Sequence, residues 1–203
     1  EADIVVEEIS ISNKEEFLKY VQKCQDDYYS YGRIFNLQND IDLSGSSFDG
    51  IPYFAGTFNG NGHTVRGIYA NNGGTEKYVG FINYLNRGGT VKNLTVRGYV
   101  SGTNTTKQWY YFGGLVGCAE KSVIENCNNA CTLAVGGEEG NFYAGGIVGS
   151  ADDTSIQSCT SDGTIKNTGN SSAVVIGGIV GNWAGGMIAD AILSGNVHKG
   201  KIV

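Results

Sequence analysis

Asp40 and Asp42 stand two apart in Leu37-Gln38-Asn39-Asp40-Ile41-Asp42-Leu43. On a strand, that spacing turns both carboxylates to one face. Paired carboxylates can bind calcium or work as a pair in glycoside hydrolysis. The same letters also read as ordinary strand patterning, with Ile41 and Leu43 inward and both acids in solvent or capping the turn at Ser44-Gly45. We adopt this second reading. His63 follows a tight turn in Asn61-Gly62-His63-Thr64. General-base chemistry would need an orienting partner and a substrate pocket, and nothing nearby in sequence nominates either. His63 is therefore expected to bond a neighbouring loop, and His198 is isolated near the terminus. The five cysteines (Cys24, Cys118, Cys127, Cys131, Cys159) leave one thiol unpaired in any disulfide scheme. Their spacing is not that of a zinc site, and no EF-hand pattern occurs. No catalytic residue, metal site or cofactor is assigned.

The aromatic residues suggest binding more than catalysis. Tyr28, Tyr29 and Tyr31 cluster in one stretch, Trp109-Tyr110-Tyr111-Phe112 forms a second, and Trp183 stands alone. A contiguous aromatic run on a strand cannot all face inward, so alternate members should meet solvent. Exposed tyrosine and tryptophan suit stacking on sugar rings or hot spots for a protein. Trp109, Tyr110, Trp183, Tyr29 and Tyr31 are the candidate ligand-binding residues. The competing reading is that these rings pack loops over the fold.

What scaffold holds them? Glycine makes up 32 of 203 residues, against a usual share of ~7%. Hydrophobic residues reach 40%, too many for a disordered chain. Many short elements joined by sharp turns follow, and hence an all-β fold. The net charge of −6 comes without a basic run, which argues against a nucleic-acid partner. No apolar run approaches the ~18 residues of a membrane span. The chain begins at Glu1 and is read as a piece of a longer protein.

The strongest signal is repetition. Gly113-Gly114-Leu115-Val116-Gly117 returns as Gly145–Gly149 and Gly177–Gly181, 32 residues apart each time. Ile124, Ile156 and Ile188 keep step, as do Cys127, Cys159 and Ala191, then Leu133, Ile165 and Val197, and the glycines at 163 and 195. A diverged copy lies 33 residues upstream, with Tyr78, Gly80, Val91, Asn93 and Val100 facing Tyr111, Gly113, Ile124, Asn126 and Leu133. Further up, Thr64–Ile68 resembles Thr90–Leu94 at offset 26.

A period of this length signals a solenoid. Each copy holds three short apolar pieces, none long enough for a helix. Three strands per turn, stacked along an axis, describe a parallel β-helix. Its core would be the ladders Leu115/Ile147/Ile179, Ile124/Ile156/Ile188 and Leu133/Ile165/Val197. Cys127 and Cys159 become adjacent rungs, buried as small apolar thiols; a disulfide between them is possible but suits parallel neighbours poorly. Ser12 with Glu15 reads as a capping box. Phe17, Tyr20, Val21 and Cys24 recur at helical spacing, so an amphipathic helix near Asn13 to Cys24 should cover the first coil. The whole chain, 1–203, is read as one domain. It divides into a capping segment (10–26), diverged first coils (30–77) and repeat coils at 78–110, 111–142, 143–174 and 175–203.

With these residues in place, the thrice-repeated GG[LI]VG resembles the GLUG-motif repeat of bacterial secreted and surface proteins. Those include adhesin-like proteins and regions attached to IgA-specific metalloendopeptidases. The upstream segments Leu37–Leu43, Gly56–Val65 and Val91–Leu94 resemble what commonly precedes such repeats, so the likeness runs over roughly residues 10 to 200. It implies a right-handed parallel β-helix of the pectin-lyase type in an extracellular protein, secreted or attached to the cell wall. It implies no enzymatic activity.

The expected function is a non-catalytic module, monomeric within a larger chain. It would act as a rigid spacer and a surface for a host extracellular protein or glycan, with loops 135–143 and 167–174 as its variable decoration. The alternative is a carbohydrate-active enzyme, since lyases and glycosidases also use this scaffold.

Overall fold

The computed structural model describes residues 6–71, 76–104, 106–137, 140–170, 173–184 and 191–203. It is a parallel β-solenoid. Strands of two to ten residues, most of them five or shorter, are bent at glycine- and asparagine-rich corners, and they pair in parallel with their equivalents one coil away. Among the described residues four sheets run along the axis. The first stacks Glu7–Ile11, Arg33–Leu37, Thr57–Asn59, Thr90–Lys92, Val123–Glu125, Ser155–Gln157 and Leu193–Ser194. A second contains Thr64–Asn71 and Thr95–Asn104. The third stacks Tyr78–Val79, Trp109–Gly113, Asn141–Gly145 and Ala173–Gly177, and the fourth stacks Ile51–Phe54, Ile82–Leu85, Val116–Glu120, Val148–Asp152 and Val180–Ala184.

Alternate side chains of each strand point into the lumen and stack on the same position of the next coil. Phe58, Val91, Ile124 and Ile156 form one fully buried column. Val100, Leu133 and Ile165 form another. Leu115 and Ile147 bond to Ile147 and Ile179 through the backbone at their corner. These are the ladders expected at offset 32, and through Ile156 and Ile165 they stand.

Beyond Ala184 the period lengthens to 37. Ile156 pairs with Leu193, Thr160 with Val197 and Ile165 with Ile202. Val197 is therefore not the rung above Ile165, and Leu193 occupies the tier that was assigned to Ile188. Ile188 itself lies outside the described residues. Gly200, rather than Gly195, comes to Gly163. The likeness at offset 26 also fails as a stacking register. Thr90-Val91 stacks on Thr57-Phe58, and Thr64-Val65 stacks on Thr95-Val96, in a different sheet.

The paired glycines of the motif have a steric cause. A Cβ on Gly113, Gly145 or Gly177 would fall within 1.9 Å of the carbonyl oxygen three residues on, so the corner cannot accept a side chain. The second glycine makes room across the lumen. A Cβ on Gly114 would lie 2.2 Å from Asn129 Cγ, on Gly146 2.1 Å from Ser161 Oγ, and on Gly178 2.5 Å from the His198 ring. Asn129, Ser161 and His198 are successive rungs. In the coil before them the same two positions hold Phe81 and Val96, both fully buried.

Among the described residues there is one helix, Lys14–Lys23, at the N-terminal end. Its N-cap is Asn13, whose Oδ1 accepts from the Glu16 amide at 2.9 Å, while Glu16 accepts from the Ser12 amide at 2.7 Å. The capping box thus sits one residue later than Ser12 with Glu15. Phe17 buries its ring against Phe48, Phe58 and Phe81 at 5.7, 6.4 and 5.9 Å, closing the apolar lumen from above. Tyr20 and Val21 pack beside it and Cys24 is buried.

Candidate functional site

The third and fourth sheets meet at a re-entrant corner. The last glycine of the motif allows it. A Cβ on Gly117 would come 2.5 Å from the Val79 nitrogen, and Gly149 and Gly181 repeat this against Phe112 and Ala144 at 2.6 and 2.7 Å. Each strand of the third sheet therefore lies close against the fourth, and their outward side chains converge. Tyr78 and Tyr84, from neighbouring strands of one coil, stack at 5.4 Å with an interplanar angle of 18°.

From that pair an aromatic strip runs along the axis. Tyr78, Tyr111 and Tyr143 are register partners, with centroids 5.4 and 5.6 Å apart. Trp109 lies flat on Tyr143 at 4.3 Å. On the other side Tyr53 meets Tyr84 edge to face at 6.4 Å. Lys77 sits over the rings of Tyr78 and Tyr111 at 5.4 and 5.5 Å, a cation–π arrangement. The Tyr84 hydroxyl donates to Glu120 Oε2 at 2.5 Å.

Burial sets the ionisation of this cluster. Desolvation and the Glu120 bond hold the Tyr84 phenol above its usual range, and burial raises Tyr78 and Tyr111 as well. Cys118, next on the Tyr53–Tyr84 ladder, is pushed up to about 12, mainly by burial and further by the nearby Glu120 charge. Near neutral pH these groups are therefore uncharged, which favours hydrogen bonding and ring contact over nucleophilic attack.

The strip ends in a cleft of about 740 Å³ between the helix and the first coils. The cleft opens where the repeat departs from its motif, since Asn83 holds the position of Gly117. Asn83 caps the corner by accepting from the Gly80 amide and donating to the Asp49 carbonyl. Tyr53, Tyr78 and Tyr84 form the ring-bearing wall, and Gln25, Asp49 and Glu76 supply polar groups.

The candidate residues fare differently. Trp109 belongs to the strip. Tyr110 does not: its ring is only 4% exposed and points into the core, so Trp109 and Tyr111 are the outward members of that run. Trp183 takes the inward register position of Ala151 and Ala119 and packs on the core of the last coil. Tyr29 packs edge-on against Phe35 beneath Arg33 and Lys23. Tyr31 is 59% exposed and stands apart from the strip. Tyr53, Tyr78, Tyr84, Tyr111 and Tyr143 were not singled out as binding residues. Tyr78 and Tyr111 matched at offset 33, but only as positions of the repeat register; that both face outward is shown by the structure.

Asp40 accepts from the Thr64 amide and faces His63 at 3.2 Å, while Asp42 caps Ser44 and pairs with Arg66. Both acids lie below the usual carboxylate range, chiefly through the Thr64 amide for Asp40 and the Ser44 bonds for Asp42. His63 bonds its neighbouring loop, and Asp40 and Asp42 line no part of the cleft. All five cysteines are thiols. Cys127 and Cys159 repeat one local contact, each donating to the carbonyl two residues back, at 3.2 and 3.3 Å.

No curated protein matches the chain. A crystal structure from Bacteroides ovatus, described as a candidate immunoglobulin A1 protease, is similar at a TM-score of 0.45 and 14% identity over 96% of this chain and 83% of that one. The family model for the GLUG motif matches residues 140–166. That stretch is nearly one complete coil, from the strand at Asn141 to the buried Ile165, so the chain is a parallel β-solenoid carrying a GLUG motif.

Proposed function

We propose that this chain is a non-catalytic module of a secreted or cell-surface bacterial protein, and that its re-entrant groove is a ligand-binding surface for a host protein or glycan. The observation that carries the reading is the strip from Tyr53 through Tyr84, Tyr78, Tyr111 and Tyr143 to Trp109, continuous across coils and ending in the cleft beside the helix. The buried core of this solenoid is made by its inward ladders. Six linked outward rings beside a concave site have the make-up of a recognition surface. The GLUG match at 140–166 supports the module reading.

Titration calorimetry against glycan and extracellular-matrix protein panels tests it. A ligand found in this way should lose about tenfold or more in affinity on Tyr84→Ala, the scale of a ring hot spot. Asp40→Asn, away from the groove, should leave binding unchanged. Equal affinity for both variants would place the ligand elsewhere.

A further inference from the structure

We infer that the groove takes an uncharged oligosaccharide and turns away polyanionic ones. This rests on reading the groove as a ligand site. The cleft wall combines three tyrosine rings with carboxamide and carboxylate side chains. Asp49 and Glu76 are both exposed on the cleft, and neither joins a salt bridge among the described residues. No lysine or arginine is among the described residues that line it. Lys77, the nearest cation on the strip, is spread over two rings.

Such a wall is rich in acceptors. Sugar hydroxyls are donors that fit carboxylate and carboxamide oxygens, and sugar C–H faces fit Tyr53, which is 41% exposed. A uronate or sulfate entering the cleft would meet two carboxylates and no lining cation, and like-charge juxtaposition is an effective bar to a wrong partner. The volume suits a few sugar rings better than the broad, flat contact of a protein partner, because sites of ~300–1,000 Å³ enclose small ligands. The ladder Tyr78–Tyr111–Tyr143 adds two steps at the ~4.8 Å strand spacing, so a linear chain can run out of the cleft along the axis.

The test is calorimetry on the intact chain with two probe sets. One holds hexamers of glucose, mannose and N-acetylglucosamine; the other holds hexagalacturonate and a heparin hexamer. At least one neutral probe should bind about tenfold or more tightly than either polyanion. The double variant Asp49→Asn/Glu76→Gln should shrink that gap by raising polyanion binding. Added salt should do the same, because screening weakens exposed charges beyond ~10 Å at 0.1 M. Tighter binding of a polyanion through Tyr84 overturns this inference while leaving the groove a binding site. Failure of both sets, with a protein ligand found instead, overturns the glycan assignment alone. Failure of every ligand overturns both.

Discussion

At the scale of single residues, the glycines separate into two kinds. Some stand where a backbone atom occupies the space of a side chain, and Gly145 is the sharpest case, with Val148 O at 1.9 Å. Others stand where only the left-handed backbone matters, such as Gly88 at φ +80° with nothing within 4 Å. Gly88→Ala should cost ~1–2 kcal/mol, the penalty of a Cβ in that conformation. Gly145→Ala must move a hydrogen-bonded corner and should cost upwards of ~4 kcal/mol, in the exceptional range for one substitution. Urea unfolding of both variants checks the difference, and equal midpoints would refute the steric account. The sequence made the glycine pairs visible as a repeat. It could not show that the second glycine leaves space for Asn129, Ser161 and His198, because that contact crosses the lumen. Tyr110 was misjudged for a related reason: alternation says that half of an aromatic run faces out, but not which half.

At the scale of elements, register was legible wherever coil length stays constant. The offset of 32 located Ile124 over Ile156 and Leu133 over Ile165 because each side chain needs its counterpart as a packing surface. It failed past Ala184, where a longer connection intervenes and chance apolar letters at 188, 191 and 197 still fit the old spacing. The lesson from offset 26 is similar, since two Thr-Val strands within one coil look alike but belong to different sheets. The helix was placed correctly by its 3.6-residue apolar period, and its cap missed by one residue. Asn13 and Ser12 are both good N-caps, and only geometry selects between them. Asn13→Ala should destabilise the protein by about 1 kcal/mol, whereas Ser12→Ala should change little, because Glu16 accepts from the Ser12 backbone. Paired thermal melts decide which residue is the cap.

For the whole molecule, the repeat supplies the scaffold and its departures supply the site. Asn83 does not fit the motif, and the cleft opens beside it. The tyrosine strip was hidden from the sequence because its members come from two sheets whose outward faces converge only at the re-entrant corner. Scaffold and site should then be separable. Deleting residues 145–176 joins Ala144 to Gly177 and removes one coil in register, since position 177 replaces its own equivalent. Stability in a solenoid is close to a sum over coils and their interfaces. The shortened chain should therefore fold with a lower melting temperature and retain parallel-strand circular dichroism. Tyr53, Tyr78, Tyr84 and Glu120 all lie outside the deletion, so ligand affinity should be preserved within about threefold, below the loss expected from one hot spot. Deleting 145–164 instead breaks the period, puts polar positions against the lumen ladders and should leave the chain unfolded. If both deletions unfold alike, the coils are not interchangeable layers. If the in-register deletion folds but loses ligand, the binding surface extends further along the axis than the cleft and strip.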